Sequence, residues 1–550
     1  MLLCFWSFQR NNMRLKISQL FFFFFCIVLL LHPSLAQTTN EHEQEDVKRS
    51  QFPDGFLFGT STSSYQIEGA YLEDGKGLNN WDVFTHIPGN IKNNDNGDIA
   101  DNHYHQFLED IELMQSLGVN AYRFSISWSR ILPRGRFGEV NTRGISFYNN
   151  LIDNLLLKGI EPFVTIHHHD IPQELEDRYG SWLSPLMQED FLYFAEICFK
   201  SFGHKIKYWT TLNEPNLFAD MAYMRGWYPP GHCSPPFGNC SFGNSDVEPP
   251  TAMHNMLLAH AKAVKLYRQM FQPKQGGSIG IIANTMMYEP HGDNEDDQKA
   301  VSRALAFQLA WVFDPIVYGD YPPEMRHYLG SVLPRFSQEE ISILKGSIDF
   351  IAINHYSTLY AKDCIHSACI PGWDRPIRGF VYTTGERDGV LIGDRTANPR
   401  FFVVPRGMEK IINYVKERYN NMPMIVTENG FAPPPQQKQQ HQQDLLQDAE
   451  RINFHKSYLA ALARAIRNGA DVRGYFVWSM IDNFEWIDGY SVRYGLYYVD
   501  RQTLKRMPKL SAKWYKNILT VDATSNSNSS NIFKRKNTMS TVSQASKAEI

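Results

Sequence analysis

The sequence has no surplus of either charge: 54 Lys and Arg stand against 58 Asp and Glu, a formal net of −4 over 550 residues. That balance removes the electrostatic case for nucleic acid or an anionic membrane as the main partner. Paired C-x-x-C spacings of the kind that hold structural zinc are missing. There is no internal repeat beyond an alternation of strand-like and helix-like segments. Nor does an apolar run reach the roughly 20 residues that a bilayer-spanning helix needs. The run at residues 20–31 (LFFFFFCIVLLL) is about a dozen residues long, preceded by Arg14 and Lys16 and followed by SLA at residues 34–36. Residues 1–36 therefore read as a cleaved secretory signal, with no membrane association afterwards. The destination implied is the extracellular space, or apoplast, with the vacuole as the alternative.

Cysteine is scarce as well, seven in all. Cys4 and Cys26 leave with the signal, and the other five enter an oxidising compartment where disulfides persist. Cys233 and Cys240 flank a Pro/Gly-rich loop (CSPPFGNC), Cys364 and Cys369 flank IHSA, and Cys198 sits in an apolar helical stretch (FAEICFKSF). Two local disulfides and one buried thiol are expected, free thiols throughout being the alternative. Asn239 (NCS) and Asn528 (NSS) are glycosylation sequons suited to a secreted chain.

Apolar residues, in contrast, are ample: 43% hydrophobic and 13% aromatic, enough for a large core. After a polar stretch at 37–51, β-rich apolar runs alternate with amphipathic segments almost to the end. Eight strands are expected: FLFGTST from Phe56, AYRFSIS from Ala121, EPFVTIHH from Glu161, KYWTTLN from Lys207, SIGIIAN from Ser278, DFIAINHY from Asp349, PMIVTEN from Pro423 and GYFVWSM from Gly474. Eight strands with helical crossovers predict an α/β fold with a single (β/α)8 TIM barrel over residues 52–521. Long loops at 226–250 and 433–443 (PPPQQKQQHQQ) would emerge on its C-terminal face. The Ser/Asn-rich tail at 522–550 is expected to be disordered.

Polar side chains at the C-terminal ends of barrel strands point into the mouth, so chemistry is sought there. Glu214 in TLNEP ends strand four and Glu428 in IVTENG ends strand seven. A carboxylate directly after an apolar strand is costly unless used or paired. Two of them facing one pocket are the apparatus of glycoside hydrolysis.

These segments, with FLFGTSTSSYQIEGA, NAYRFSISWSR and WSMIDNFEWIDGYSVRYGLYYVD, resemble the signatures of glycoside hydrolase family one, the β-glucosidase family, in the family's order. The resemblance implies a retaining enzyme with Glu214 as acid/base and Glu428 as nucleophile, the latter supported by Arg123 and Tyr356. It further implies Gln66, His168, Asn213 and Glu485 as ligands of glucose hydroxyls, with Trp478 and Trp486 as an aromatic floor. It implies no cofactor and no metal, and a small-molecule β-glucoside as the partner.

Two places depart from the family's pattern. In TIHHHDIPQ, His169 replaces a usual tryptophan next to His168. Three adjacent histidines also suggest a metal centre, but successive strand residues point to opposite faces, which argues against one ion holding all three. In ANPRFFVVPRG, Arg400 stands where many plant members carry a tryptophan against the leaving group. His169 and Arg400 are thus candidate aglycone residues, and with DCIHSAC they are similar to the plant branch acting on monolignol glucosides such as coniferin and syringin. A broad aryl β-glucosidase, a transglucosidase and a catalytically silent sugar-binding barrel are the alternatives.

Overall fold

The computed structural model describes residues 47–434 and 442–520. The signal, residues 37–46, the Gln-rich segment 435–441 and the tail from 521 with Asn528 lie outside the described residues. Packing starts before Phe52: Val47 is buried, and the Arg49 guanidinium lies 5.1 Å from the Phe58 ring centroid.

Eight strands form a closed parallel barrel: β1 (Leu57–Ser61), β2 (Ala121–Ser125), β3 (Glu161–His167), β4 (Tyr208–Asn213), β5 (Ser278–Pro290), β6 (Phe350–Asp363), β7 (Met424–Asn429) and β8 (Val472–Trp478). Each pairs in parallel with its successor, and β8 returns to β1. Each expected strand is present. The runs are apolar throughout rather than alternating because helices cover the outside while side chains fill the inside. The lower interior is packed by Leu57, Phe163, Phe350, Ile425 and Phe476, with Phe163 and Phe476 ring centroids 5.2 Å apart.

Two features go beyond the sequence reading. β5 and β6 continue past the barrel mouth as a paired ribbon, Met286 to Pro290 against Ser357 to Ala361, and strand Val381–Thr384 adds antiparallel to β6. This ribbon is one wall above the barrel. Between helices Glu295–Leu305 and Trp311–Tyr318, a π-helical turn at Ala306–Ala310 inserts an extra residue and swings Phe307 and Gln308 toward the same space. Cys233 bonds Cys240, Cys364 bonds Cys369, and Cys198 is a buried free thiol in helix Leu186–Phe202.

Gly59 on β1 is required by this packing. A Cβ there would lie 2.3 Å from the Phe476 ring and 2.9 Å from the Ala121 carbonyl oxygen. Gly59→Ala is expected to lower stability by about 1–3 kcal/mol through overpacking, read as a lower urea midpoint with an unchanged slope.

Candidate active site

At the mouth of the barrel, β2 contributes Arg123, whose side chain is wholly buried. A guanidinium cannot stay there without partners, and each of its nitrogens has one. Nε donates to Thr165 Oγ1 on β3 (3.0 Å), Nη2 to Asn213 Oδ1 on β4 (2.7 Å) and Nη1 to Glu428 Oε1 on β7 (2.5 Å). The other Glu428 oxygen accepts from the Tyr356 hydroxyl of β6 at 2.7 Å. Burial, then Glu428, pushes the Tyr356 phenol well above its ordinary range, so it stays a donor.

Glu214 follows β4 directly. Its backbone is left-handed (φ 46°), and Pro215 opens helix Pro215–Tyr223 behind it. This turn stops the strand and aims the carboxyl into the mouth. Asn284 Nδ2 of β5 and Asn354 Nδ2 of β6 both donate to Glu214 Oε1, at 3.0 and 2.9 Å. The amides are oriented in turn: Thr427 Oγ1 donates to Asn354 Oδ1 (2.7 Å), and Gln308 Nε2 donates to Asn284 Oδ1 (3.2 Å). Burial and the nearby Glu428 charge raise the Glu214 pKa to about 8, overcoming the opposing pull of Asn284, Asn354 and Arg123. The two carboxyls thus have different environments: Glu428 carries a cation and a phenol, and Glu214 two neutral amides. Pairs pushed apart in this way divide acid and anion roles between them.

The three histidines do not form one cluster: His167 is set apart, while the His168 and His169 rings meet edge to face at 5.2 Å between centroids. His167 packs among Trp128, Trp182 and Phe218 outside the barrel. His168 lies against Trp478 and Trp486, at 6.0 and 5.9 Å between ring centroids. Asn213 Oδ1 accepts from Arg123 and Asn354, so its amide nitrogen faces His168 Nε2 at 3.0 Å and makes that nitrogen the acceptor. Burial, with His169 and Arg123 nearby, drives the His168 pKa well below its ordinary value. His169 turns out of the strand at φ 72° and packs on Phe218, Tyr228 and Trp486, its Nε2 3.2 Å from the Asn213 carbonyl. Among the described residues no three His, Cys, Asp or Glu side chains converge as a metal site.

A cavity of about 470 Å³ is lined by Glu214, Glu428, Tyr356, His168, Trp478, Glu485 and Trp486, and further out by Arg400. Arg123, Asn213, His169 and Gln66 stand behind that lining. Gln66 spends its amide inside the protein: Oε1 accepts from Ser63 Oγ (2.6 Å), and Nε2 donates to Asn483 Oδ1 (3.2 Å) and the Phe484 carbonyl (2.8 Å). Burial, Asp488 and Glu428 raise the Glu485 pKa well above normal. Arg400 meets the ribbon through Nη2 to Thr383 Oγ1 at 3.0 Å.

Sequence reasoning missed Asn284, Asn354 and Gln308. The first two follow the rule that found the glutamates, a polar residue ending an apolar strand (GIIANT, FIAINHY). Gln308 had no such signal, since its placement depends on the π turn. The 226–250 loop supplies Trp227 and Tyr228 to the cavity wall.

The family description Glycosyl hydrolase family 1 matches residues 48–524. A rice protein named "Probable inactive beta-glucosidase 14" is 56% identical over 86% of this chain and 92% of its own. The "Coniferin beta-glucosidase" of Pinus contorta is 53% identical over 86% of this chain and 93% of its own. The crystal structure of the rice Os3BGlu6 β-glucosidase superposes with a TM-score of 0.84 at 45% identity, over 86% of this chain and 100% of that one. A mutant of that protein, in a covalent complex with Glc, has a TM-score of 0.83 at 45% identity over the same shares.

Because the Glu428 charge is one cause of the raised Glu214 pKa, Glu428→Gln is expected to move it down from about 8. A ¹³C titration of the glutamate carboxyls, in wild type and variant, reads the shift directly.

Proposed function

The chain belongs to glycosyl hydrolase family 1 and is a β-glucosidase, and we propose that it hydrolyses aromatic O-β-glucosides with retention through a covalent glucosyl-enzyme intermediate. The observation that carries the mechanism is the opposite support of two carboxyls on one cavity, Glu428 by Arg123 and Tyr356, Glu214 by Asn284 and Asn354. The neighbour trapped with covalently bound Glc supports the intermediate.

Glu428 is ion-paired and attacks the anomeric carbon. The bond to the aglycone oxygen breaks as Glu214, protonated through neutral pH, gives that oxygen its proton. Both amide donors fall on Glu214 Oε1, so the proton sits on Oε2. Esterified Glu428 carries no charge, which removes one cause of Glu214's high proton affinity. Glu214 then takes a proton from water, whose oxygen displaces Glu428 and restores both groups. His168 and Glu485 bind glucose hydroxyls on the floor of Trp478 and Trp486. Asn213 joins them through His168, and Gln66 does so by exchanging an internal bond for a sugar hydroxyl.

The coniferin-hydrolysing relative and the flat guanidinium of Arg400 in the cavity support a phenylpropanoid aglycone. The paired disulfides support passage through the secretory route. A silent barrel is the second reading, raised by the name of the rice relative. The intact carboxyl pair and its supports favour turnover.

With 4-nitrophenyl β-glucoside, Glu428→Ala is expected to abolish hydrolysis, and added azide to restore turnover as the α-glucosyl azide; near-full activity of that variant would sink the mechanism. Glu214→Ala is expected to slow the deglycosylation step more than the first, by about 10²–10⁴ overall, seen as a burst of nitrophenol. In wild type, kcat/KM should fall as pH rises through about 8, where free Glu214 loses its proton.

A further inference from the structure

The outer half of the cavity has a charge imbalance that hydrolysis of a neutral glucoside does not use. Arg225 and Arg378 share one acid: Arg225 Nε donates to Asp220 Oδ2 at 3.0 Å, and Arg378 Nη1 donates to Asp220 Oδ1 at 3.1 Å. Arg400 is the third guanidinium on that wall. Among the described residues it makes no ion pair; its side chain has one hydrogen bond, to Thr383 Oγ1. It lies 5.3 Å from the Trp373 ring centroid, and Arg378 lies 4.6 Å from the same ring. All four charged groups line the cavity that holds Glu214 and Glu428. Three cations against one carboxylate leave this wall with two unmatched positive charges.

The remaining acids on the lining do not cancel them. Glu428 is paired with Arg123. The pKa values of Glu214, Glu485 and Asp488 are all raised, so their negative charge is disfavoured. Burial and its two arginine neighbours pull the Arg400 pKa down to about 10, which leaves it charged at neutral pH but poorly compensated. A partly buried cation in this condition gains from an entering anion, and a guanidinium fork fits a carboxylate with two parallel bonds. Around the arginines, Trp227, Phe307, Trp311, Ile377 and Val381 offer apolar surface for a ring.

We propose that Arg400, with Arg378 and Arg225, binds a carboxylate on the aromatic aglycone, so that glucosides of phenolic acids are preferred over glucosides of the corresponding alcohols. The inference rests on the β-glucosidase reading and narrows its aglycone.

The test uses the full protein and the 4-O-β-glucosides of a hydroxycinnamic acid and of its alcohol, identical except for carboxylate against CH2OH. The acid glucoside should have the higher kcat/KM, by about tenfold. The acid-to-alcohol ratio should fall about tenfold in Arg400→Gln, with Arg400→Lys in between. In wild type the ratio should also shrink with added salt, which reads the same interaction without any substitution. Binding of the free acid and the free alcohol is measured by calorimetry in parallel, without turnover. If neither glucoside nor 4-nitrophenyl β-glucoside is cleaved while the acid still binds more tightly through Arg400, the enzyme reading fails and the anion site stands. If glucosides are cleaved but the ratio is near one and indifferent to Arg400→Gln and salt, and the acid binds no tighter than the alcohol, the anion site is overturned and the enzyme reading stands.

Discussion

The burial of one guanidinium governs the site. Arg123 lies in the barrel mouth with no solvent contact, and its charge is tolerable only because three other strands answer it. Thr165, Asn213 and Glu428 each satisfy one nitrogen, which locks β2, β3, β4 and β7 into one hydrogen-bonded unit. From Asn213 the constraint passes to His168, whose tautomer follows from the way the amide must face. From Glu428 it passes to Tyr356 and, through space, to the proton on Glu214. Orientation in the site therefore follows from the buried cation, whereas the proton on Glu214 is held by burial and the Glu428 charge against the pull of that cation.

The cavity divides electrostatically along its depth. At its inner end Glu428 is paired with Arg123, and burial disfavours the charged forms of Glu214 and Glu485. Its outer end is cationic because Asp220 cannot satisfy Arg225, Arg378 and Arg400 together. Family membership accounts for the first region. The second belongs to the loops and the β5–β6 ribbon, the parts in which barrel enzymes vary their chemistry while keeping the scaffold.

How far the sequence was legible follows the same division. The barrel could be read because apolar runs with helical spacers leave few other folds, and all eight strands lie where their runs predicted. Glu214 and Glu428 could be read because a carboxylate at the end of an apolar strand is too costly to be incidental. Asn284 and Asn354 were passed over because a neutral amide there carries no such cost. The extension of β5 and β6, the π turn behind Gln308 and the charge balance around Arg400 depend on contacts between residues about 20 to 180 apart, which no local pattern records. The histidine run suggested a cluster because adjacency in sequence imitates adjacency in space. Strand alternation sends His167 outward, and the left-handed turn at His169 leaves its ring edge-on to that of His168, 5.2 Å between centroids, with Nε2 on the Asn213 carbonyl.

Glu214 itself occupies a left-handed backbone, a conformation that costs a side-chain-bearing residue about 1–2 kcal/mol and glycine almost nothing. The position proposed as acid/base is thus a place where the fold gives up stability to hold a carboxyl in the cavity. Change at this codon toward glycine relaxes the backbone while removing the carboxyl on which the proposed proton transfer depends. Selection for stability alone would therefore move this scaffold toward an inert barrel, and only continued demand for turnover keeps the strained glutamate in place.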